Sequence, residues 1–219
     1  MGITLAEEIV LLSLDGESGV ARQRQAVGWA AAGGILVELV MAERVSVTDK
    51  YLSLSDTTST GEELLDSRIG LIGAWLRGRS KRRVTDWLTR DHTRAVGGAL
   101  ERLHARGVVG AELDKVLGMF PRRRHPEADG TVGRELRERL GAVVVGGLDP
   151  DERTAGLVAL LHAAKLHRLA FPDVPRRGVA ARMAEIAAGQ WATDSVRAAI
   201  RDTQAAMVTA MAATAAATS

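Results

Sequence analysis

A chain of 219 residues with 46% hydrophobic side chains is long enough to bury a core unaided, and the absence of cysteine excludes disulfides, thiolate zinc sites and cysteine nucleophiles. Twenty-nine basic against 27 acidic side chains leave a net charge of only +2, so a charged partner would be recruited by a local patch and not by the field of the whole molecule. The basic residues do cluster, and all but four of them are arginine.

At the amino terminus, Glu7 and Glu8 stand where a secretion signal would be positive, and the apolar run Ile9 to Leu14 is too short for one. Ala6 occupies the position where a myristoylation signal needs Ser or Thr. The start of the chain therefore reads as mature protein. Thr4-Leu5-Ala6-Glu7 forms a capping box and predicts a short buried helix to Leu14. After a turn at 15–19, Ala21 to Met41 reads as a long helix in which Gly33-Gly34 admits a close neighbour. The period then changes to two, and Val45 to Leu54 predicts a β-hairpin around Asp49-Lys50. Ser55 to Gly61 is a polar loop, and Glu62 to Leu76 returns to helical spacing. The run RGRSKRR from Arg77 to Arg83 is either a solvated loop or a phosphate-binding one. Trp87 and Leu88 open a helix that stops at Arg106-Gly107.

Residues 108–129 form a second irregular region, with Val116 to Pro121 followed at once by Arg122, Arg123, Arg124, His125 and Pro126. An apolar tip with a basic flank suits a hairpin that inserts into a surface, and equally a strand packed on the core beside a charged loop. Gly130 to Val145 predicts another helix. Glu152 to Phe171 follows, in which the ten residues from Ala155 to Ala164 carry one polar side chain, His162. A helix apolar on every face is buried, and this run is too short to cross a bilayer. His162, Lys165 and His167 have no carboxylate or thiolate beside them and read as core histidines and a basic exit turn. Val179 to Ala188 and Thr193 to about Ala213 complete the helices, with Met207 and Met211 as core filling. Residues 212–219 are expected to fray. No phosphate-binding loop, nucleophile elbow or metal-spaced cluster is present in the sequence, so neither catalysis nor a cofactor nor a metal is expected.

Several pieces resemble, in shared order and spacing, the Golgi phosphoprotein 3 family, here in a bacterial branch. They are TLAEEIVLLSLD from Thr4, GGILVELVMAERVSV from Gly33, STGEELLD from Ser59, VTDWL from Val84, LERLHARGVV from Leu100, the hairpin closing on His125-Pro126, and RTAGLVALLHAAKLHRLAF from Arg153. The resemblance covers nearly the whole chain. It implies a mainly α fold, one domain over residues 1–219, with a buried central helix ringed by others and short β-hairpins, one of them projecting. It also implies a cytoplasmic protein peripherally associated with membrane, without catalytic activity. The implied ligand is anionic phospholipid with a phosphoinositide-like head group, phosphatidylinositol 4-phosphate in the family. A protein client and a homo-oligomer remain open, and no nucleic acid is expected.

In the family a Trp and an Arg of the second helix meet two Arg of the helix before the hairpin around the lipid phosphate. Here Gln23 and Ala32 stand at the first two positions, and Arg90 and Arg94 lie about one residue out of register with the pair. The expected lipid-binding residues are Arg90, Arg94, Arg22, Arg24, Arg122, Arg123 and Arg124, with Leu117, Met119 and Phe120 entering the membrane. The alternative is a winged-helix DNA-binding protein, in which LERLHARGVV would end the groove-reading helix and the basic hairpin would be the wing.

Overall fold

The computed structural model describes residues 2–14, 22–110, 112–116, 120–189 and 191–217, and for 112–116 and 120–124 it describes the backbone. In chain order the elements are α1 (Leu5–Ser13), α2 (Arg24–Met41), β1 (Val45–Thr48), β2 (Tyr51–Leu54), α3 (Glu63–Leu76), β3 (Arg82–Arg83) and α4 (Val84–Ala105). Then come β4 (Glu112–Val116), β5 (Phe120–Arg124), α5 (Thr131–Val144), α6 (Glu152–Ala163), α7 (His167–Ala170), α8 (Arg176–Ala188) and α9 (Asp194–Ala217). The fold is mainly helical, as the sequence and the resemblance imply.

The capping box closes as its spacing demands: Glu7 Oε2 accepts the Thr4 N–H at 2.7 Å and Thr4 Oγ1 accepts the Glu7 N–H at 3.3 Å. All nine residues of α1 are buried, including Glu7 and Glu8. Gly34 of α2 makes that burial possible, because a Cβ there would lie 3.1 Å from Leu5 Cβ and 3.2 Å from the Ala6 nitrogen. One residue away, a Cβ on Gly33 would lie 2.8 Å from Leu160 Cδ2 and 2.9 Å from Met207 Sδ. Helix α2 is thus wedged between α1 on one side and α6 with α9 on the other, and it also touches α3, α4 and β1.

Residues Thr154 to Leu161 of α6 are buried, among α1, α2, α7, α8 and α9. Asp151 caps this helix, accepting the Thr154 N–H at 2.7 Å. The stretch to Phe171 is not one helix, however. Lys165 adopts φ 58°, and the Leu166 N–H returns to the Leu161 carbonyl at 2.8 Å. This left-handed stop usually falls to glycine. His162 is half-buried and His167 is buried. Met207 is fully buried and Met211 packs against the core, while α9 continues to Ala217 through most of the segment expected to fray.

The first hairpin pairs Val45 with Leu54 and Thr48 with Tyr51, and its two turn residues, Asp49 (φ 53°) and Lys50 (φ 67°), have the positive φ angles of a primed turn. Asp202 of α9 holds the turn by accepting the Lys50 N–H at 2.8 Å. A third strand, β3, pairs antiparallel with β2 through Leu52–Arg82 and Tyr51–Arg83. The basic run at 77–83 is therefore not wholly a solvated loop, since Arg82 lies 4.9 Å over the Trp75 ring and donates to the Trp75 carbonyl at 2.9 Å. Helix α4 begins at Val84, three residues before Trp87, directly out of this strand.

Candidate functional site

Two helix ends differ in how their amide groups are satisfied. The start of α1 is capped and buried. The start of α2 is not: Gln23 precedes it at φ 49°, ψ 40°, the Gln23 side chain makes no capping hydrogen bond, and Arg22, Gln23, Arg24 and Gln25 are exposed. The first backbone N–H groups of such an end have no intrahelical acceptor and carry the positive pole of the helix, an arrangement suited to an anion. One turn into α2, Gly28 lies against α4 so closely that a Cβ would be 2.7 Å from the His92 carbonyl oxygen. The adjacent Trp29 ring stacks on the His92 imidazole with centroids 4.3 Å apart and planes 5° from parallel. Arg24, four residues before Gly28, shares its helix face.

His92 is fixed at both nitrogens. Its Nδ1–H donates to the Thr89 carbonyl at 2.9 Å, so in the neutral ring Nε2 accepts from the Thr93 hydroxyl at 3.2 Å. Thr89, His92 and Thr93 consequently stand on the flank of α4 that meets the start of α2. Arg90 and Arg94 do not. At about 100° per residue they lie close together on one face, roughly 160° around α4 from His92. Both are exposed, and Arg94 is near the carboxylate of Asp91, which Arg68 of α3 holds at 2.9 Å. Burial pushes the Asp91 carboxyl above the usual range, against the pull of Arg68 and Arg94. Arg90 and Arg94 thus lie away from the start of α2, where Arg22 and Arg24 are exposed.

The second hairpin is antiparallel, with register from Glu112–Arg124 through Asp114–Arg122 to Val116–Phe120. Arg122, Arg123 and Arg124 lie on its returning strand and Phe120 opens that strand, while Leu117 and Met119 fall outside the described residues. Strands β4 and β5 pack on each other and on no other element to a comparable extent. At its root, His104 Nδ1 lies 2.9 Å from the Val109 carbonyl and His104 Nε2 lies 2.9 Å from His125 Nδ1. Helix α4 packs against α1, α2, α3 and α9 and buries Trp87, Leu88, Asp91, Ala95, Ala99 and Leu103. The exposed face of α4 carries Thr89, Arg90, Thr93, Arg94, Gly97 and Glu101, and nothing in this arrangement favours the DNA-binding reading.

Other arginines are turned inward. Arg153 donates to Glu8 at 2.5 Å, to Glu38 at 3.1 Å and to the Ile3 carbonyl at 2.5 Å. Arg139 reaches the other oxygen of Glu8 at 2.9 Å, and Arg106 bridges Glu7 at 3.1 Å and Glu62 at 2.7 Å. Burial raises the Glu38 carboxyl to about 7 in spite of Arg153, and its Oε2 is buried without a hydrogen-bond partner among the described residues. Among the described residues no group of three His, Cys, Asp or Glu could hold a metal, and no helix is long and apolar enough to cross a membrane.

Sequence reasoning assigned no role to Trp29, Thr89, His92 or Thr93. The one signal in the sequence was a histidine between two threonines of the same helix. Among known proteins, Vacuolar protein sorting-associated protein 74 of Eremothecium gossypii is 26% identical over 168 residues, covering 65% of this chain and 49% of the relative. The chain spans about half the length of that curated relative. The broader match extends over residues 5–203, from the first residue of α1 to the middle of α9, and it places this chain in the Golgi phosphoprotein 3 (GPP34) family.

Proposed function

We propose that this protein binds the surface of a membrane containing anionic phospholipid, with a phosphoinositide-like head group at the open start of α2 and the second hairpin inserted beside it. The role is binding and not catalysis. The observation that carries the reading is the uncapped, exposed start of α2, flanked by Arg22 and Arg24 and facing the Thr89–His92–Thr93 flank of α4. Backbone N–H groups and guanidinium groups both donate to phosphate oxygens, and arginine does so in bidentate fashion. Family membership and the projecting backbone of the second hairpin support the same reading. Leu117, Met119 and Phe120 are assigned to the acyl boundary and Arg122, Arg123 and Arg124 to the phosphates. Arg90 and Arg94 add charge from the other flank of α4. The protein would then reside in the cytoplasm, peripherally associated with membrane, as a single domain over residues 1–219.

Co-sedimentation with vesicles tests this. Binding is expected to phosphatidylcholine vesicles containing phosphatidylinositol 4-phosphate, and it should fall steeply as salt shortens the Debye length from about 10 Å at 0.1 M to about 3 Å at 1 M. Equal sedimentation with vesicles of phosphatidylcholine alone would remove the electrostatic basis of the proposal.

A further inference from the structure

A cavity of about 210 Å³ lies away from these residues, between α6, the end of α8 and the first turns of α9. Its inner wall is aliphatic: Ala155 and Ala159 come from α6, Ile186 and Ala187 from α8, and Ile200 from α9. Alanine where larger side chains would close the gap between three helices is what leaves the space. Trp191 forms a further wall, its indole edge set against Gly189 so tightly that any Cβ there would collide with Nε1.

The opening is charged, and asymmetrically so. Arg197 and Arg201, one turn apart on α9, line it together with Asp194. Asp194 is paired with Arg197, whereas Arg201 is exposed and has no ion-pair partner among the described residues. Trp191 Nε1 and Arg197 Nε, in the same lining, are buried with no acceptor among the described residues. An aliphatic inner wall with an unneutralised cation at the opening fits an amphiphile with an anionic head. Size narrows the class further. An apolar cavity of about 150 Å³ holds a benzene, and scaling by volume gives room here for a chain of about eight carbons.

We propose that this cavity binds a medium-chain acyl carboxylate, with the alkyl chain between Ala159, Ala187 and Ile200 and the carboxylate at Arg201 and Arg197. The site uses none of the residues assigned to the membrane-facing surface, so each proposal can fail without the other. It takes the free acid and not a phospholipid chain, since the volume admits one short chain and the rim offers one head-group position.

Calorimetric titration of the full chain with octanoate, without vesicles, is the test. One octanoate should bind per chain, 1-octanol at least tenfold more weakly, and dioctanoyl phosphatidylcholine not at all. Arg201→Ala, at an exposed position, should weaken octanoate at least tenfold, and Arg201→Lys should recover part of the loss. Ala187→Phe should fill the cavity and abolish binding, while a far-ultraviolet spectrum like that of the parent confirms that it folds. No saturable heat with octanoate, octanol binding as tightly as octanoate, or an unaltered affinity in Arg201→Ala would each overturn the proposal.

Discussion

Arg24 and Arg153 both stand in the first turn of a helix, and they have opposite environments. Arg153, in α6, is turned inward and held by Glu8, Glu38 and the Ile3 carbonyl. Arg24, in α2, is exposed and has no ion-pair partner among the described residues. The same contrast separates Arg68, Arg106 and Arg139 from Arg90 and Arg94. Inner arginines neutralise carboxylates that the fold has taken out of water, so they govern stability and, through those carboxylates, its dependence on pH. Outer arginines are exposed and within reach of phosphate, even where one of them, Arg94, also lies near Asp91, so they govern binding and its dependence on salt. A count of basic residues does not distinguish the two sets, because what separates them is a carboxylate partner 23 to 145 residues distant.

The largest expected effect belongs to the outer set and its apolar neighbours. Met119→Asp combined with Phe120→Asp removes two side chains whose burial is worth roughly 1.5 to 3 kcal/mol each, so vesicle binding should weaken by roughly 4 kcal/mol. Thermal stability should not change. A large fall in melting temperature would place those side chains in the core and end the role of the hairpin as a wedge.

For the inner set, Arg153→Met leaves Glu8 and Glu38 buried with less compensation. Removing one partner of a buried pair costs 3 to 5 kcal/mol, and with the Arg153 side chain 31% exposed the lower end applies, about 3 kcal/mol in urea unfolding. Binding to vesicles by the folded fraction should be unaltered. Loss of both properties together would show that the two sets of arginines are not separable.

Glu38 makes the pH dependence specific. Its carboxyl is pushed up to about 7 in the fold because burial outweighs the attraction of Arg153, against 4.5 for an ordinary glutamate. The folded state therefore holds a proton that the unfolded chain has released. This contribution is fully present below 4.5 and is lost as pH rises to 7 and beyond. At about 1.4 kcal/mol per pH unit the loss is on the order of 3 kcal/mol. Subtracting the profile of Glu38→Gln, which cannot titrate, isolates the effect from the carboxylates of Asp56, Asp66 and Asp151, whose lowered values give the opposite slope. Parallel profiles for parent and variant would mean that Glu38 titrates alike in the folded and unfolded chain.

Features encoded within a few residues were legible in the sequence. The capping box at Thr4, the primed turn at Asp49-Lys50, the close approaches at Gly33-Gly34 and the burial of α6 each follow from local spacing, and the structure has all four. The pairing of Glu38, inside the apolar run Ile35 to Val40, with Arg153 was not legible, because the two lie 115 residues apart. The strand at Arg82-Arg83 was hidden because two residues carry no period. The site was legible only in part, for a geometric reason. Which residues of α4 share a face can be computed from the sequence, but which face α2 covers depends on Gly28 meeting His92, a tertiary fact.

That fact yields the smallest and most discriminating prediction. Arg22→Ala with Arg24→Ala and Arg90→Ala with Arg94→Ala each remove two positive charges from exposed positions. An arginine near an anionic surface contributes about 1 kcal/mol, so each pair should weaken binding to phosphatidylserine vesicles by about 2 kcal/mol, roughly 30-fold. The pairs should differ in head-group selectivity. If phosphate is held at the start of α2, the Arg22 and Arg24 variant loses its preference for phosphatidylinositol 4-phosphate over phosphatidylserine at matched charge. The Arg90 and Arg94 variant keeps that preference, because its arginines leave α4 about 160° from His92. The reverse pattern would move the phosphate site to the α3 flank, beside Arg68 and Asp91, and the open start of α2 would then be without a ligand.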